Sequence, residues 1–413
     1  MQPEEEIGLY SGQTVALFSF IFTFVVCKKM KAQTSSGTIA DYHAILPKLD
    51  KKRDPVQDIA KGIGMLFVIF LHTTTLYTVG GRDTVPSGLF TILFLALMGY
   101  MMPFFFMISG YNYKPGTQSY RDSVRKRAKQ LLVPLFNYTI VIWIILGAYL
   151  CLRGETDPWT LFKSYIAYWL TDPLAGWVGL DASRTLVAQA VGPTWFIKCL
   201  MVAYLIFAAV APAAVQKRGT MISAVVGLIF LSYIITVFVD NLPWDAEIAP
   251  AAAALMLIGF LMRKHDLFGE RHSNRKWNTI NALVALALLT YLQVKVPGVG
   301  MISGGRINFQ MGAVEVFITL ICGVLGTVFL MNVSKILVKV KGLNAFLAYI
   351  GQNSLTVLIL HGAVMRIYSD IFGLTGTPAG SFGLTNLYVF LLTLLTSVLL
   401  IYLKGLINVK IRL

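Results

Sequence analysis

Long apolar runs follow one another along the chain, separated by short polar or basic connections. At 1.5 Å rise per residue, about 20 residues cover the hydrocarbon core of a bilayer, so each such run predicts a membrane-spanning helix. Eleven spans are predicted, at roughly 8–27, 57–79, 88–111, 132–152, 194–215, 220–239, 248–263, 277–294, 310–331, 345–368 and 386–407. The stretch 159–180 is rich in aromatic residues but interrupted by Asp172 and Pro173, which predicts an interfacial or re-entrant segment. The pattern therefore predicts an all-α fold, a polytopic integral membrane helical bundle of about 11 transmembrane helices. It divides into an N-terminal anchor helix with a basic cytoplasmic linker, residues 1–52, and a ten-helix membrane domain, residues 53–413.

Composition agrees. The 413 residues are 56% hydrophobic and 13% charged, with a mean hydropathy of +0.69, whereas soluble domains carry about 25% charge. The runs leave no room for a soluble domain. A net charge of +15 in such a chain points to cytoplasmic loops and anionic membrane lipids, with no nucleic acid partner expected. Acyl-CoA or another phosphorylated donor also suits clustered Arg and Lys. Cys27, Cys151, Cys199 and Cys322 form no C-x-x-C pair, so no disulfide framework, metal site or redox motif is expected. Glu4, Glu5 and Glu6 precede the first run, which predicts a retained anchor rather than a cleaved signal peptide. Nothing in the pattern fixes an oligomeric state.

Orientation follows from the cations. With residues 1–7 outside, 26 of the 35 lysines and arginines fall in inward connections and 6 in outward ones. The positive-inside rule then places the N-terminus outside and the C-terminus in the cytoplasm of a cell whose plasma membrane the chain crosses many times.

The second run carries unusual chemistry. Asp58, Lys61 and His72 sit inside it, and Arg53 stands at its mouth. Ionisable groups at membrane depth are rare unless they pair, line a cavity or react. At 100° per residue, Lys61 and His72 lie within about 20° of each other around the helix, and Asp58 within about 40° of His72. His361 in the tenth run, Glu315 in the ninth, and Lys198 beside Trp195 in the fifth should fall near the depth of His72, roughly 10 Å below the outer surface. A neutral histidine near a carboxylate can act as a general base towards a hydroxyl. The same groups can equally be structural, Lys198–Glu315 as an ion pair and the histidines as interhelix hydrogen bonds.

Two further stretches stand out. Tyr120–Pro134 crowds Arg121, Arg125, Lys126, Arg127 and Lys129 into three helical turns. It reads as a topogenic cluster or as a phosphate site, since Arg grips phosphate oxygens bidentately. Met102–Tyr111, M-P-F-F-F-M-I-S-G-Y, ends the third run, and Ser109-Gly110 permits close helix approach. Trp159, Tyr165, Tyr168, Trp169 and Trp177 suit a headgroup belt or could stack on a sugar.

These residues together resemble the membrane acyltransferase type 3 family, and within it the fucose 4-O-acetylase-like, surface-polysaccharide O-acetyltransferase branch. D-I-A-K-G-I-G-M-L-F-V-I-F-L-H (Asp58–His72), M-P-F-F-F-M-I-S-G-Y, R-K-R-A-K-Q-L-L-V-P, T-W-F-I (Thr194–Ile197), I-G-F-L-M-R (Ile258–Arg263) and I-G-Q-N-S-L-T-V-L-I-L-H (Ile350–His361) look like its motifs, in the family order. The chain departs from them at Gln130, where the family's R-x-x-R has its second arginine, and at Met101, where the branch often has histidine. The resemblance implies a ten-helix core and O-acyl transfer, usually acetyl, from cytosolic acetyl-CoA to a hydroxyl of an extracytoplasmic carbohydrate or lipid-linked glycan, without a metal.

On that reading the catalytic candidates are His72, His361, Glu315 and Asp58. The donor would be held by Arg53, Lys61, Arg125, Arg127 and Lys129, and the acceptor by Trp195, Lys198, Asn353 and Ser354. The rival expectation is a non-enzymatic translocator of a polysaccharide or lipid-linked sugar.

Overall fold

The computed structural model describes residues 53–75, 89–114, 119–170, 190–239, 242–269, 274–295, 302–303, 306–307, 313–371 and 384–411. The predicted anchor at 8–27 and its linker lie outside the described residues. Within them twelve α-helices follow one another: α1 Pro55–Thr75, α2 Leu89–Tyr111, α3 Tyr120–Leu152, α4 Pro158–Leu170, α5 Trp195–Ala214, α6 Arg218–Phe238, α7 Ala249–Lys264, α8 Arg275–Lys295, α9 Ala313–Leu337, α10 Leu343–Gln352, α11 Ser354–Ile371 and α12 Leu384–Ile411. A two-residue antiparallel ladder, Ile302–Ser303 against Arg306–Ile307, joins α8 to α9. Among the described residues eight helices are long and apolar enough to cross a membrane, or nine with the bent pair α10–α11. α2 adds 23 residues without a charged side chain, also long enough at 1.5 Å each. The all-α membrane bundle expected from the hydropathy pattern is the architecture found.

Helix starts are written locally. Asp54 accepts the Val56 amide at 2.9 Å and stands before Pro55 at the first helical position of α1. Ser119 caps α3, and its hydroxyl donates to Asp122 at 2.7 Å. α3 runs for 33 residues, about 50 Å, because the basic stretch continues the helix of the span it precedes. The predicted single span 345–368 is instead two helices meeting at 85°, broken at Asn353, whose side-chain amide donates back to the Tyr349 carbonyl at 2.9 Å. The interfacial expectation for 159–180 meets a 13-residue helix, α4, too short to span; residues 171–189 lie outside the described part.

Packing at the centre depends on glycine. A Cβ on Gly62 would overlap the Leu347 carbonyl, and one on Gly351 the Asp58 carbonyl, so α1 and α10 touch backbone to backbone through a reciprocal pair. α2 and α7 do the same, with Gly110 on Met256 and Gly259 on Met107. Tyr100, Phe104 and Phe106 are fully buried around α2. On the periphery, Ile144, Leu283 and Phe230 are more than half exposed, an arrangement that lipid tails favour and water does not.

Candidate active site

α1 and α11 bring two imidazoles together. The His72 and His361 rings have centroids 5.1 Å apart at an angle of 43°. His361 is fully buried, and its Nδ1 lies 2.8 Å from the Leu358 carbonyl and 3.2 Å from that of Val357. A carbonyl only accepts, so Nδ1 carries the proton and Nε2 keeps its lone pair. That Nε2 has no hydrogen-bond partner among the described residues. Gly362 lets the backbone of Ala190 and the ring of Pro193 pack close behind the histidine, which sets the 190–194 turn and the start of α5 beside it. One turn further, Lys198 is fully buried, donates to the Tyr168 carbonyl at 3.1 Å and lies 4.1 Å from the centre of the Tyr168 ring. Tyr168 in turn shares a 2.6 Å hydrogen bond with Thr194. Thus α4 reaches the site through Tyr168.

A second group forms where α2 ends and α3 begins. Arg127 donates to Ser109 at 3.0 Å and lies 4.6 Å over the Tyr204 ring of α5, whose hydroxyl meets Ser123 at 2.6 Å. Helical spacing turns Arg127 inward, while Arg125 and Lys129 stay exposed. Near the start of α1, Lys61 pairs with buried Asp58 at 2.6 Å, and Arg53 donates weakly to the Gln352 carbonyl at 3.4 Å. Arg263 donates to the Tyr111 carbonyl at 3.2 Å. Lys335 of α9, 5% exposed, faces the Phe268 ring, with Asp266 and Asp54 as its charged neighbours.

A family model described as an acyltransferase domain matches residues 57–405. The chain belongs to the acyltransferase 3 family. No curated protein and no solved structure matches it. Family membership and the apolar helices together make the chain a multi-pass membrane acyltransferase, and the matched stretch includes both histidines, Arg127 and Lys198.

Against the candidates read from the sequence, this acyltransferase groups some and separates others. His72 and His361 meet. Asp58 and Lys61 hold each other, and 14 residues of α1, about 21 Å, separate Asp58 from His72. Asn353 and Ser354 fall at the α10–α11 bend, next to Gly351 and hence at the Asp58 end of α1. Trp195 packs edge-on against Phe196 at 6.1 Å. Glu315 lies in the first turn of α9, and its side chain is outside the described part, as is Trp177. Sequence reasoning did not single out Tyr204, and it took Lys335 as one cation of a connection rather than as a residue inside α9. Lys335 carried one available signal, a lone cation inside the last turn of an apolar helix.

Proposed function

We propose that the protein is an O-acetyltransferase of the surface-polysaccharide branch, moving acetyl from cytosolic acetyl-CoA to a hydroxyl of an extracytoplasmic carbohydrate or lipid-linked glycan at the plasma membrane. The observation that carries the reading is the histidine pair, with His361 fully buried and the 190–194 turn before α5 packed against its helix. Arg127, with Arg53, Arg125, Lys129 and Lys61, would meet the donor phosphates on the cytoplasmic side. In the direct route His72 takes the acceptor proton, the hydroxyl oxygen attacks the thioester carbonyl, the C–S bond breaks, and the CoA thiolate leaves and is protonated. In the alternative route His72 carries the acetyl group between donor and acceptor. His361 supports either, because its proton is fixed on Nδ1. Trp195 and Lys198 would border the acceptor. The N-terminus would lie outside and the C-terminus in the cytoplasm.

The test is acetyl-CoA binding to purified protein in detergent, for wild type, Arg127→Ala and His72→Ala, followed by acetyl transfer to the glycan. Saturable binding that weakens about tenfold in Arg127→Ala, with His72→Ala binding normally but failing to transfer, supports the proposal. Absence of binding by folded wild type would favour translocation, and full transfer by His72→Ala would remove the histidine from the mechanism.

A further inference from the structure

Where α5 and α7 stop and α6 begins, a cleft of about 500 Å³ opens. Its walls include Met221, Ile222 and Leu261, and its rim Lys217, Arg218, Lys264 and His265. No carboxylate lines it among the described residues. Lys264 donates to the Val215 carbonyl at 3.3 Å, at the open end of α5. Lys217 and Arg218 are exposed and make no side-chain hydrogen bond or ion pair among the described residues. Converging cations repel one another, and the carboxyl ends of α5 and α7, with the Val215 carbonyl that Lys264 meets, offset only part of that repulsion. α6 also starts at Arg218 with no side-chain cap, so its first amides and the positive end of its dipole add to the same field. The rim is thus built for an anion.

The walls say what the anion is attached to. Ile222, Val226 and Phe230 are 55%, 41% and 51% exposed. They stand four residues apart on α6 and make one apolar stripe that leaves the cleft along the helix. A soluble phosphate would use the rim alone. An amphiphile would use both, its headgroup at the cations and an acyl chain on the stripe. Basic pockets between membrane helices at the cytoplasmic surface are a known way of holding acidic headgroups.

We propose that this cleft is a binding site for one anionic phospholipid, with the phosphate at Lys217 and Arg218 and a chain along Ile222–Phe230. The site is built from α5, α6 and α7 and uses none of the residues assigned above to acyl transfer, so it stands or falls separately.

The experiment is native mass spectrometry of the full chain in detergent with equal phosphatidylglycerol and phosphatidylcholine. Wild type, Lys217→Gln/Arg218→Gln, Lys217→Arg/Arg218→Lys and the remote Arg275→Gln/Lys276→Gln are compared. Wild type, the charge-keeping variant and the remote variant should each retain phosphatidylglycerol about tenfold over phosphatidylcholine. The charge-removing variant should lose that preference, with an unchanged unfolding midpoint in phosphatidylcholine. Equal retention by the charge-removing variant overturns the proposal. So does an equal loss in the remote variant, which would mean that overall charge decides. Displacement of the lipid by millimolar inorganic phosphate would reassign the site to a free anion and likewise overturn it.

Discussion

The bond from His361 Nδ1 to its own helix leaves Nε2 as the only nitrogen free to accept a proton. His361→Gln removes that acceptor while keeping a polar side chain of similar reach, and it should lower acetyl transfer at least tenfold with donor binding unchanged. His72→Ala should cost about a hundredfold or more in the same assay. At the other end of α1, Asp58 is 2% exposed and its cation is Lys61. Lys61→Met strands that carboxylate and should destabilise by about 2 kcal/mol, discounted for the partial exposure of the lysine. Asp58→Asn/Lys61→Met should recover much of the loss, as read from thermal unfolding in detergent. Counting residues along two runs taken to cross in the same direction led to the expectation that the two histidines share a depth; that their rings meet, 5.1 Å between centroids, comes from the packing of α11 on α1. The partners of Arg127 were not legible. Ser109 ends another helix and Tyr204 lies a span away, and no local spacing selects them. The Asp58–Lys61 pair was written in an i,i+3 interval, and the 14-residue spacing to His72 also gave the rise of about 21 Å that keeps Asp58 away from the imidazoles.

Helices announced themselves by apolar length, while their breaks did not. Residues 345–368 read as one span because every turn of it is apolar enough, and the 85° corner at Asn353 comes from α10 docking on α1, a tertiary cause. The basic stretch before residue 132 read as helical turns within a connection, and the Ser119 cap makes them one continuous helix with the span that follows. Crossing points should be intolerant. Gly351→Val or Gly259→Val forces a side chain into a carbonyl, and about 3 kcal/mol or more of overpacking should appear as loss of monodisperse protein after extraction. At Gly227 a Cβ would meet nothing within 4 Å, so alanine there should leave the unfolding midpoint unchanged or slightly higher. At α4, Asp157 accepts the Trp159 and Thr160 amides and the Thr160 hydroxyl. These bonds, the Thr160 hydroxyl foremost, hold its carboxyl below the ordinary carboxylate range. A depressed folded pKa means the cap contributes fully above about pH 4 and is lost as pH falls through the folded value. Hydrogen exchange at Trp159–Leu161 should therefore quicken in acid, and Asp157→Ala should show the fast rate at neutral pH.

For the molecule as a whole, the exposed apolar side chains of α3, α6, α8 and α12 describe a surface wetted by hydrocarbon. The orientation proposed from cation counts predicts which aqueous face meets each polar end. Cysteine placed at Arg125 should react with an impermeant maleimide only in opened cells, and cysteine at Trp159 in intact ones; the reverse pattern would invert the topology. The two glycine crossings, α1 on α10 and α2 on α7, divide the sequence into unequal obligations. At a handful of positions only a hydrogen atom fits. Over much of the lipid-facing surface any oily side chain serves. A chain under such rules can change most of its letters while its helices keep their stations. Its ancestry is then better preserved in the places where helices touch than in the identity of the residues between them.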